Sequence, residues 1–244
     1  MKNTNIGLIG YGHLGKALHH RLQEKGFDEV QISQGRGKNV EMLDADLVIL
    51  SVRPLQLAEV AREIRGKLRS RVLSFTAATP KVALQDALKS DVLRAMTDIQ
   101  FEQILAEMGE RDFLSSLSEN PLIEVADEEL VDAHTILVGC LPGVLAWQLV
   151  NNREGAMEWI ERYFAFIQTK LGIAENVLHN ILGRAVLDRA PASTIKKVAT
   201  PGGITESLIQ QLELKCDSSL DELYAAGWAR TERVRTAVAA SFKA

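Results

Sequence analysis

The chain has 244 residues, of which 46% are hydrophobic and 25% charged, a composition that excludes disordered and fibrous proteins and allows one large domain or two modest ones. The 28 Lys and Arg residues against 32 Asp and Glu residues give a formal net charge of -4. Neither sign forms a long block, so nucleic acid is not an expected partner.

The N-terminal residues and the cysteines indicate the compartment. Residues 1–12 read MKNTNIGLIGYG and reach a glycine turn after a few apolar residues, unlike a secretory signal. No stretch approaches the roughly 18 apolar residues of a membrane span. Cys140 and Cys216 lack the spacing of a disulfide framework or a zinc site. We therefore expect a cytoplasmic protein with no metal and no membrane partner.

The first part of the chain alternates short apolar runs with amphipathic segments. The predicted strands are residues 6–9, 30–33, 47–52, 72–75 and 92–96, and segments 14–25 and 57–68 are predicted helices. Apolar strands separated by helices are typical of a parallel sheet covered on both faces. The predicted fold class is α/β, a Rossmann-like doubly wound parallel sheet.

The strand pattern fades after Asp98. Residues 98–126 combine a helical piece with turn residues and are interpreted as a connection, so the predicted dinucleotide-binding domain covers residues 1–97. Residues 127–244 show helical periodicity and form a predicted all-helical C-terminal domain, divided by its Gly and Pro residues into about four or five helices. Its apolar stripes leave surface to cover, so a homodimer or higher homo-oligomer is expected.

A glycine motif follows the first predicted strand. Residues 6–15 read IGLIGYGHLG, which places GxGxxG between a strand and a helix. Gly10 would allow the tight turn, Gly12 the approach of a pyrophosphate, and Gly15 close packing of helix on strand. The N-H groups of the helix N-terminus would face the phosphates. The predicted cofactor ligands in this motif are Gly10, Tyr11, Gly12, His13, Leu14 and Gly15.

The second predicted strand bears on the choice between NADP(H) and NAD(H). A carboxylate at its end would bind the 2′-hydroxyl of the adenosine ribose and repel a 2′-phosphate. Residues 32–38 read ISQGRGK, which offers no carboxylate but a hydroxyl and two cations. Ser33 and Arg36 are therefore predicted ligands of a 2′-phosphate, and NADP(H) is favoured. The alternatives are a solvated polar loop and NAD(H) as the cofactor.

Three further segments carry a resemblance to a known family. Residues 48–54 read VILSVRP, residues 132–143 read DAHTILVGCLPG, and residues 198–205 read VATPGGIT. They resemble pyrroline-5-carboxylate reductase, an NAD(P)-dependent oxidoreductase that reduces the cyclic imine of proline biosynthesis. The matched segments occur in family order across nearly the whole chain, as expected for a divergent member.

The resemblance implies a site between a Rossmann domain and a helical domain through which subunits dimerise. The cofactor ligands it implies on the nicotinamide side are Val52, Arg53 and Pro54. The ligands it implies for a small imino acid substrate are Pro201, Gly202, Gly203, Ile204, Thr205 and Cys140. In this family the loop binds the substrate carboxylate with backbone N-H groups, and Thr205 would be the catalytic hydroxyl near the imine nitrogen. Consecutive glycines before a helix support an anion site independently, since they expose N-H donors.

Two segments depart from the family. Met96-Thr97-Asp98 replaces Met-Pro-Asn, so an acid stands where an asparagine near the nicotinamide ribose is expected. Residues 139–144 read GCLPGV in place of GSGPAY, which adds a leucine beside the pocket and removes a tyrosine. The fold should tolerate both changes. The substrate stays open between pyrroline-5-carboxylate, another imine and a carbonyl compound.

Two other interpretations are weighed against catalysis on an imine. His134 is a candidate acid or base, but a lone histidine on an apolar helix is more typical of a core or interface residue. Residues 134–152 contain no lysine, which disfavours reduction of a neutral carbonyl, since that reaction needs a proton donor. A cofactor-binding protein without catalysis, acting as a redox sensor or carrier, is the alternative function.

Overall fold

The computed structural model describes residues 4–33, 35–42, 44–152, 154–187, 191–215 and 218–243. Within these residues the chain forms one sheet, followed by a layer of helices. Cys140 is buried and free, and Cys216 lies outside the described residues.

Seven strands form the sheet in the order β2-β1-β3-β4-β5-β6-β7. They are β1 (Ile6–Ile9), β2 (Val30–Ile32), β3 (Leu47–Leu50), β4 (Arg71–Ser74), β5 (Val92–Thr97), β6 (Ile104–Glu107) and β7 (Ile123–Val125). The strands β1 to β5 are parallel to one another. The predicted Rossmann-like fold class is confirmed, and the five predicted strands correspond to β1 to β5.

The order of the strands reverses at β1. The chain passes from β1 to β2 on one side and returns to β3 on the other, with Leu8 opposite both Ile32 and Ile49. Every residue of β1 and β3 is buried, as expected for central strands packed on both faces. At such a reversal the carboxyl ends of the two strands border a crevice, where doubly wound sheets bind ligands.

The helices fall into two groups along the chain. Those between the strands are α1 (His13–Glu24), α2 (Leu57–Ile64), α3 (Lys81–Leu88) and α4 (Arg111–Leu117), with short 3-10 helices at Asn39–Met42 and Pro54–Gln56. Those after the sheet are α5 (Glu128–His134), α6 (Leu141–Asn151), α7 (Ala156–Leu171), α8 (Glu175–Leu187), α9 (Pro191–Val198), α10 (Ile204–Leu214) and α11 (Leu220–Ser241).

The segment 98–126 differs from the predicted connection, because it contains β6, α4 and β7. Strand β6 pairs antiparallel with β5, and β7 pairs parallel with β6. The segment is also tied to α1, where the Arg21 Nε donates to the carbonyl of Leu117 at 2.7 Å. Strands of three and four residues carry no periodicity of their own, so their pairing with β5 decides their structure. The division of the chain into two domains stays a prediction.

The C-terminal half holds seven α-helices in its described part, more than the four or five predicted. A π-turn, Thr135–Gly139, also separates α5 from α6. Pro142, at the start of α6, has no N-H to bond the carbonyl of Val138. Within the π-turn, the Cys140 N-H donates to the carbonyl of Thr135 at 3.0 Å, five residues back, where an α-helix would use the carbonyl four residues back.

The helical layer has its own apolar core. Buried side chains of the π-turn, α6, α7, α8 and α10 form one cluster, which Ala78 joins from the loop after β4. One stretch in the described residues, Glu128–Asn151, is long and apolar enough by composition to cross a membrane, with a mean hydropathy of 1.5. Since 89% of its most apolar window is buried inside the protein, it is better explained as the core helix of a globular fold.

Two carboxylates on α5, the fully buried Asp132 and the half-buried Glu128, join the sheet to the last helix. From β5, Arg94 donates to Asp132 at 2.7 Å and to Glu128 at 3.2 Å. From α11, Arg235 binds the other oxygen of each carboxylate, at 3.1 Å for Glu128 and in a shorter contact with Asp132. Arg94 and Asp132 are fully buried, so each charge depends on this pairing. We name these four residues the arginine–carboxylate cluster.

We predict that Arg94→Met destabilises the protein strongly. Asp132 would keep only Arg235 and become a partly uncompensated buried charge. The free energy of unfolding should fall by about 3–5 kcal/mol in urea denaturation. As a matched control, Arg111→Met removes an exposed arginine from its pair with Glu124 and should barely move the urea midpoint. Equal midpoints for wild type and Arg94→Met would contradict this account.

Candidate functional site

Backbone packing accounts for two glycines of the motif after β1. Gly10 has a φ of +104°, and a Cβ there would lie 2.7 Å from the carbonyl carbon of Ser51. A Cβ on Gly15 would lie 2.1 Å from the carbonyl oxygen of Gly10. The Ser51 hydroxyl closes the turn by donating to the same oxygen at 2.8 Å. These glycines are needed for the turn itself, with or without a ligand.

Gly12 is different, because a Cβ there would meet no atom within 4 Å. Gly12 is the N-cap of α1, and none of the described side chains caps that helix. The first-turn N-H groups and the positive end of the helix dipole therefore face open space. This arrangement fits the phosphates of a dinucleotide, which need close backbone approach.

The other residues of the motif differ in exposure. The Tyr11 side chain is 42% exposed, and its hydroxyl lies 3.0 Å from the Nδ1 of His19. His13 is exposed at the first position of α1. Leu14 is half-buried and packs against the apolar core of the sheet. Tyr11 is thus the side chain of this group that borders the crevice.

A cleft of about 520 Å³ opens at the carboxyl ends of β1, β2 and β3. Five predicted cofactor ligands line it together: Gly10, Tyr11, Ser33, Arg36 and Val52. Next to Val52, Arg53 is exposed, and Pro54 begins the short helix Pro54–Gln56. The fold thus brings together in one cleft residues as far apart in the chain as Gly10 and Val52, which are separated by 42 positions.

The predicted phosphate ligands already have partners within the protein. The Ser33 hydroxyl is buried and donates to Asn39 Oδ1 at 2.7 Å, which closes the loop after β2. The Arg36 guanidinium donates to the carboxylate of Glu59 at 2.6 Å. Either side chain would have to exchange or share these partners to bind a phosphate.

Two carboxylates from α2 belong to the cleft and were missed by the sequence reasoning. Glu59 pairs with Arg36, and Glu63 accepts the N-H of Gly37 at 2.8 Å and of Asn39 at 3.2 Å. Glu59 and Glu63 are four positions apart and so share one face of the helix. The spacing of four positions shows from the sequence that both acids share a face of α2. It does not show that this face lies against the loop after β2.

The predicted substrate loop differs from an open anion site. Gly202 has a φ of +71°, and its N-H donates to the carboxylate of Glu206 at 2.7 Å. The Gly203 N-H donates to the carbonyl of Thr200 at 2.8 Å. The amides of both glycines are therefore engaged by the chain itself. Arg230 of α11 donates from Nε to the carbonyl of Gly202 at 2.9 Å and is a third residue that the sequence reasoning missed.

The first turn of α10 offers the remaining donors of this loop. Pro201 is exposed, whereas Ile204 and Thr205 are buried at the start of the helix. No side chain among the described residues caps α10. The amides of Ile204 and Thr205 therefore keep the orientation of free N-H groups at a helix N-terminus.

Thr205 and Cys140, two predicted substrate residues, are buried next to each other. Burial raises the pKa of the Cys140 thiol to about 12, more than the neighbouring Thr205 side chain lowers it, so the thiol stays protonated. A Cβ on Gly143 would lie 2.6 Å from the Thr205 methyl, so this glycine permits the close approach of α6 and α10.

Tyr163 of α7 lies near the Cys140 thiol. Burial raises the pKa of Tyr163 well above its usual value, and the neighbouring Cys140 adds to the effect. A tyrosine from another helix therefore approaches the segment 139–144, in which the tyrosine of the pyrroline-5-carboxylate reductase pattern is absent. Because Tyr163 lies outside residues 139–144, comparing that segment alone with the family pattern could not reveal this contact.

The π-turn brings this pair towards the sheet. A Cβ on Gly139 would lie 3.6 Å from the carbonyl oxygen of Thr97, at the end of β5. Cys140 follows directly in the chain, so the Cys140–Thr205 pair is anchored next to the carboxyl end of the sheet. His134, at the other end of the π-turn, is fully buried.

His134 lies in the core rather than in an acid or base position. Burial lowers its pKa to about 3, so the ring is neutral at physiological pH. Neither ring nitrogen has a hydrogen-bond partner among the described residues. A general acid needs a proton to donate, so this histidine is a poor candidate for one.

Asp98 is turned into the protein. Its carboxylate is fully buried and accepts the N-H of Gln100 at 2.8 Å and of Gln103 at 3.1 Å. Burial raises its pKa to about 6, although both amide bonds oppose the shift. The acid that replaces the family asparagine thus shapes the reversal from β5 to β6.

The crevice and the helical layer define the class of fold, a Rossmann-like sheet followed by a helical half. No protein-family model and no curated protein matches the sequence. Among solved structures, the chain is similar to pyrroline carboxylate reductase of Plasmodium falciparum, with 15% identity over 97% of this chain and 99% of that one, at a TM-score of 0.56.

Two bacterial structures are also similar over nearly the whole chain, with slightly lower TM-scores. Pyrroline-5-carboxylate reductase of Coxiella burnetii has 19% identity over 96% of this chain and 98% of that one, at a TM-score of 0.52. That of Streptococcus pyogenes has 18% identity over 97% and 100%, at a TM-score of 0.51. At these identities the likeness establishes a shared fold along the whole chain.

We predict that Asp98 makes stability depend on pH. Its pKa is raised from 3.8 to about 6 on folding, so the folded state binds more protons than the unfolded state between these values. The wild type should therefore lose up to about 3 kcal/mol as pH rises from 4 to 7, relative to Asp98→Asn. Urea denaturation across this range measures the difference.

The control for this prediction is Asp86→Asn, which changes an exposed acid on α3. Its difference from the wild type should stay flat across the same pH range. A flat difference for Asp98→Asn as well would refute the assignment of the buried charge to Asp98.

Proposed function

We propose that this chain is an NADPH-dependent reductase of a small cyclic imino acid, with NAD(H) as the alternative cofactor. The observation that carries the proposal is the crevice at the reversal of strand order. There, a Cβ added to Gly12 would face open space, beside a helix N-terminus that no described side chain caps. We further propose a cytoplasmic homodimer or higher homo-oligomer built on the helical half.

The residues of the crevice fit a dinucleotide. Gly12 and the first turn of α1 would hold the pyrophosphate, and Ser33 and Arg36 would face the adenosine ribose. The similar structure from Plasmodium falciparum contains NADP, which supports a nicotinamide cofactor for this fold. Such a cofactor supplies a hydride when it is bound.

The Cys140–Thr205 pair is the proposed centre for the substrate. The amides of Ile204 and Thr205 point from a helix N-terminus and would hold a carboxylate. The Thr205 hydroxyl would donate to the nitrogen of a neutral imine, or accept the N-H of the protonated iminium, and so orient the ring. Hydride addition to the iminium gives the neutral amine directly, so orientation suffices and a strong general acid is not required.

One observation favours the second candidate, a cofactor-binding protein without catalysis. The Gly202 amide, expected to bind a substrate carboxylate, is held by Glu206 at 2.7 Å. In that position the carboxylate of Glu206 occupies the place of a ligand. The two candidates differ in one measurable property, turnover of an imine.

We expect the purified protein to oxidise NADPH when a cyclic imino acid is offered. The panel is pyrroline-5-carboxylate, pyrroline-2-carboxylate and the piperideine carboxylates, each with NADPH and with NADH, followed at the nicotinamide absorbance. Turnover of one ring identifies both reaction and substrate. Tight binding of NADPH with no turnover of any member would favour the non-catalytic candidate.

We predict that Thr205→Val keeps the fold and lowers kcat by about 100-fold or more on the substrate found in this panel, since the donor at nitrogen is lost. Valine has nearly the same shape, so the packing against Gly143 is retained. Thr205→Ser, which keeps a hydroxyl, is the matched control and should stay within about tenfold of wild type. Wild-type turnover in Thr205→Val would reject the catalytic role.

A further inference from the structure

The cleft contains a carboxylate that competes for its one predicted phosphate-binding cation. The guanidinium of Arg36 lies 2.6 Å from the Glu59 carboxylate, and both side chains line the cleft. We propose that Glu59 determines how strongly this cleft discriminates between adenosine nucleotides with and without a 2′-phosphate. The inference rests on the proposed binding of a dinucleotide.

The charges around Arg36 disfavour a second anion. Glu63 also lines the cleft, so one cation faces two carboxylates there. The neighbouring cation, Lys38, pairs with Glu41 at 3.4 Å. A phosphate monoester adds a charge of about -1.5 to -2 at pH 7. To reach Arg36 it must displace Glu59, whose negative charge would then remain beside it.

A free ribose hydroxyl meets no such obstacle. It can donate a hydrogen bond to Glu59 while Arg36 keeps its place, which is the arrangement that a carboxylate after the second strand provides in NAD-binding folds. Here β2 ends without a carboxylate, and α2 supplies one through tertiary contact. Glu59 is thus a specificity-determining residue placed 23 positions from Arg36 in the chain.

Glu59 also lies in the first turn of α2, where an acid favours the helix dipole. A purely structural acid would affect stability but would not change the ratio of two nucleotide affinities. The test therefore measures this ratio, with unfolding measured in parallel.

The experiment titrates the full chain with adenosine 2′,5′-bisphosphate and adenosine 5′-monophosphate by calorimetry. Glu59→Gln should raise affinity for the bisphosphate by about tenfold, the effect of removing one unit charge at close range near a protein surface. Affinity for the monophosphate should fall or stay unchanged, since the glutamine amide oxygen can still accept from the ribose hydroxyl but carries no charge. In the double variant with Arg36→Met, the gain should be lost, since the freed guanidinium produces it.

Glu41→Gln is the matched control, because it removes the same charge from the same loop region without lining the cleft. Its affinity ratio should equal that of wild type. An unchanged ratio in Glu59→Gln, or an equal gain in Glu41→Gln, would overturn the inference while leaving dinucleotide binding intact. Failure of the wild type to bind either nucleotide would overturn the proposed function, and the inference with it.

Discussion

The arginine–carboxylate cluster around α5 is the interaction on which the rest of the structure depends. Asp132 has no exposed surface, so α5 can occupy only a position in which Arg94 from the sheet and Arg235 from α11 both reach it. The same helix leads into the π-turn, which packs Gly139 against the end of β5. The position of the Cys140–Thr205 pair therefore follows from the arginine–carboxylate cluster.

The glycines of the crevice divide into two kinds. Gly10 and Gly15 are required by backbone contacts within the protein, whereas Gly12 faces open space and leaves the backbone accessible to another group. This contrast separates the glycines that the turn itself requires from the one that leaves room for a ligand. It is why Gly12, rather than the motif as a whole, supports the proposed cofactor.

The chain's own acids occupy several positions that a ligand or a neutral side chain would fill. Glu206 holds the amide of Gly202, Glu59 holds Arg36, and Asp98 is buried in the turn after β5. Of the three, Asp98 is the acid that departs from the pyrroline-5-carboxylate reductase pattern. Such a departure changes what is bound more readily than how the chain folds, because fold depends on the core and function on the site.

The sequence alone determined β1 to β5 and the glycine turn, because apolar runs and a strand–turn–helix motif are specified by residues close in the chain. Through the resemblance alone, it also predicted Thr205 and Cys140 as substrate residues, and the structure places the two in contact. Tertiary structure decided the strands β6 and β7 and the contact of Glu59 with Arg36. Short strands and charge pairs between distant segments depend on long-range packing, which no local pattern encodes.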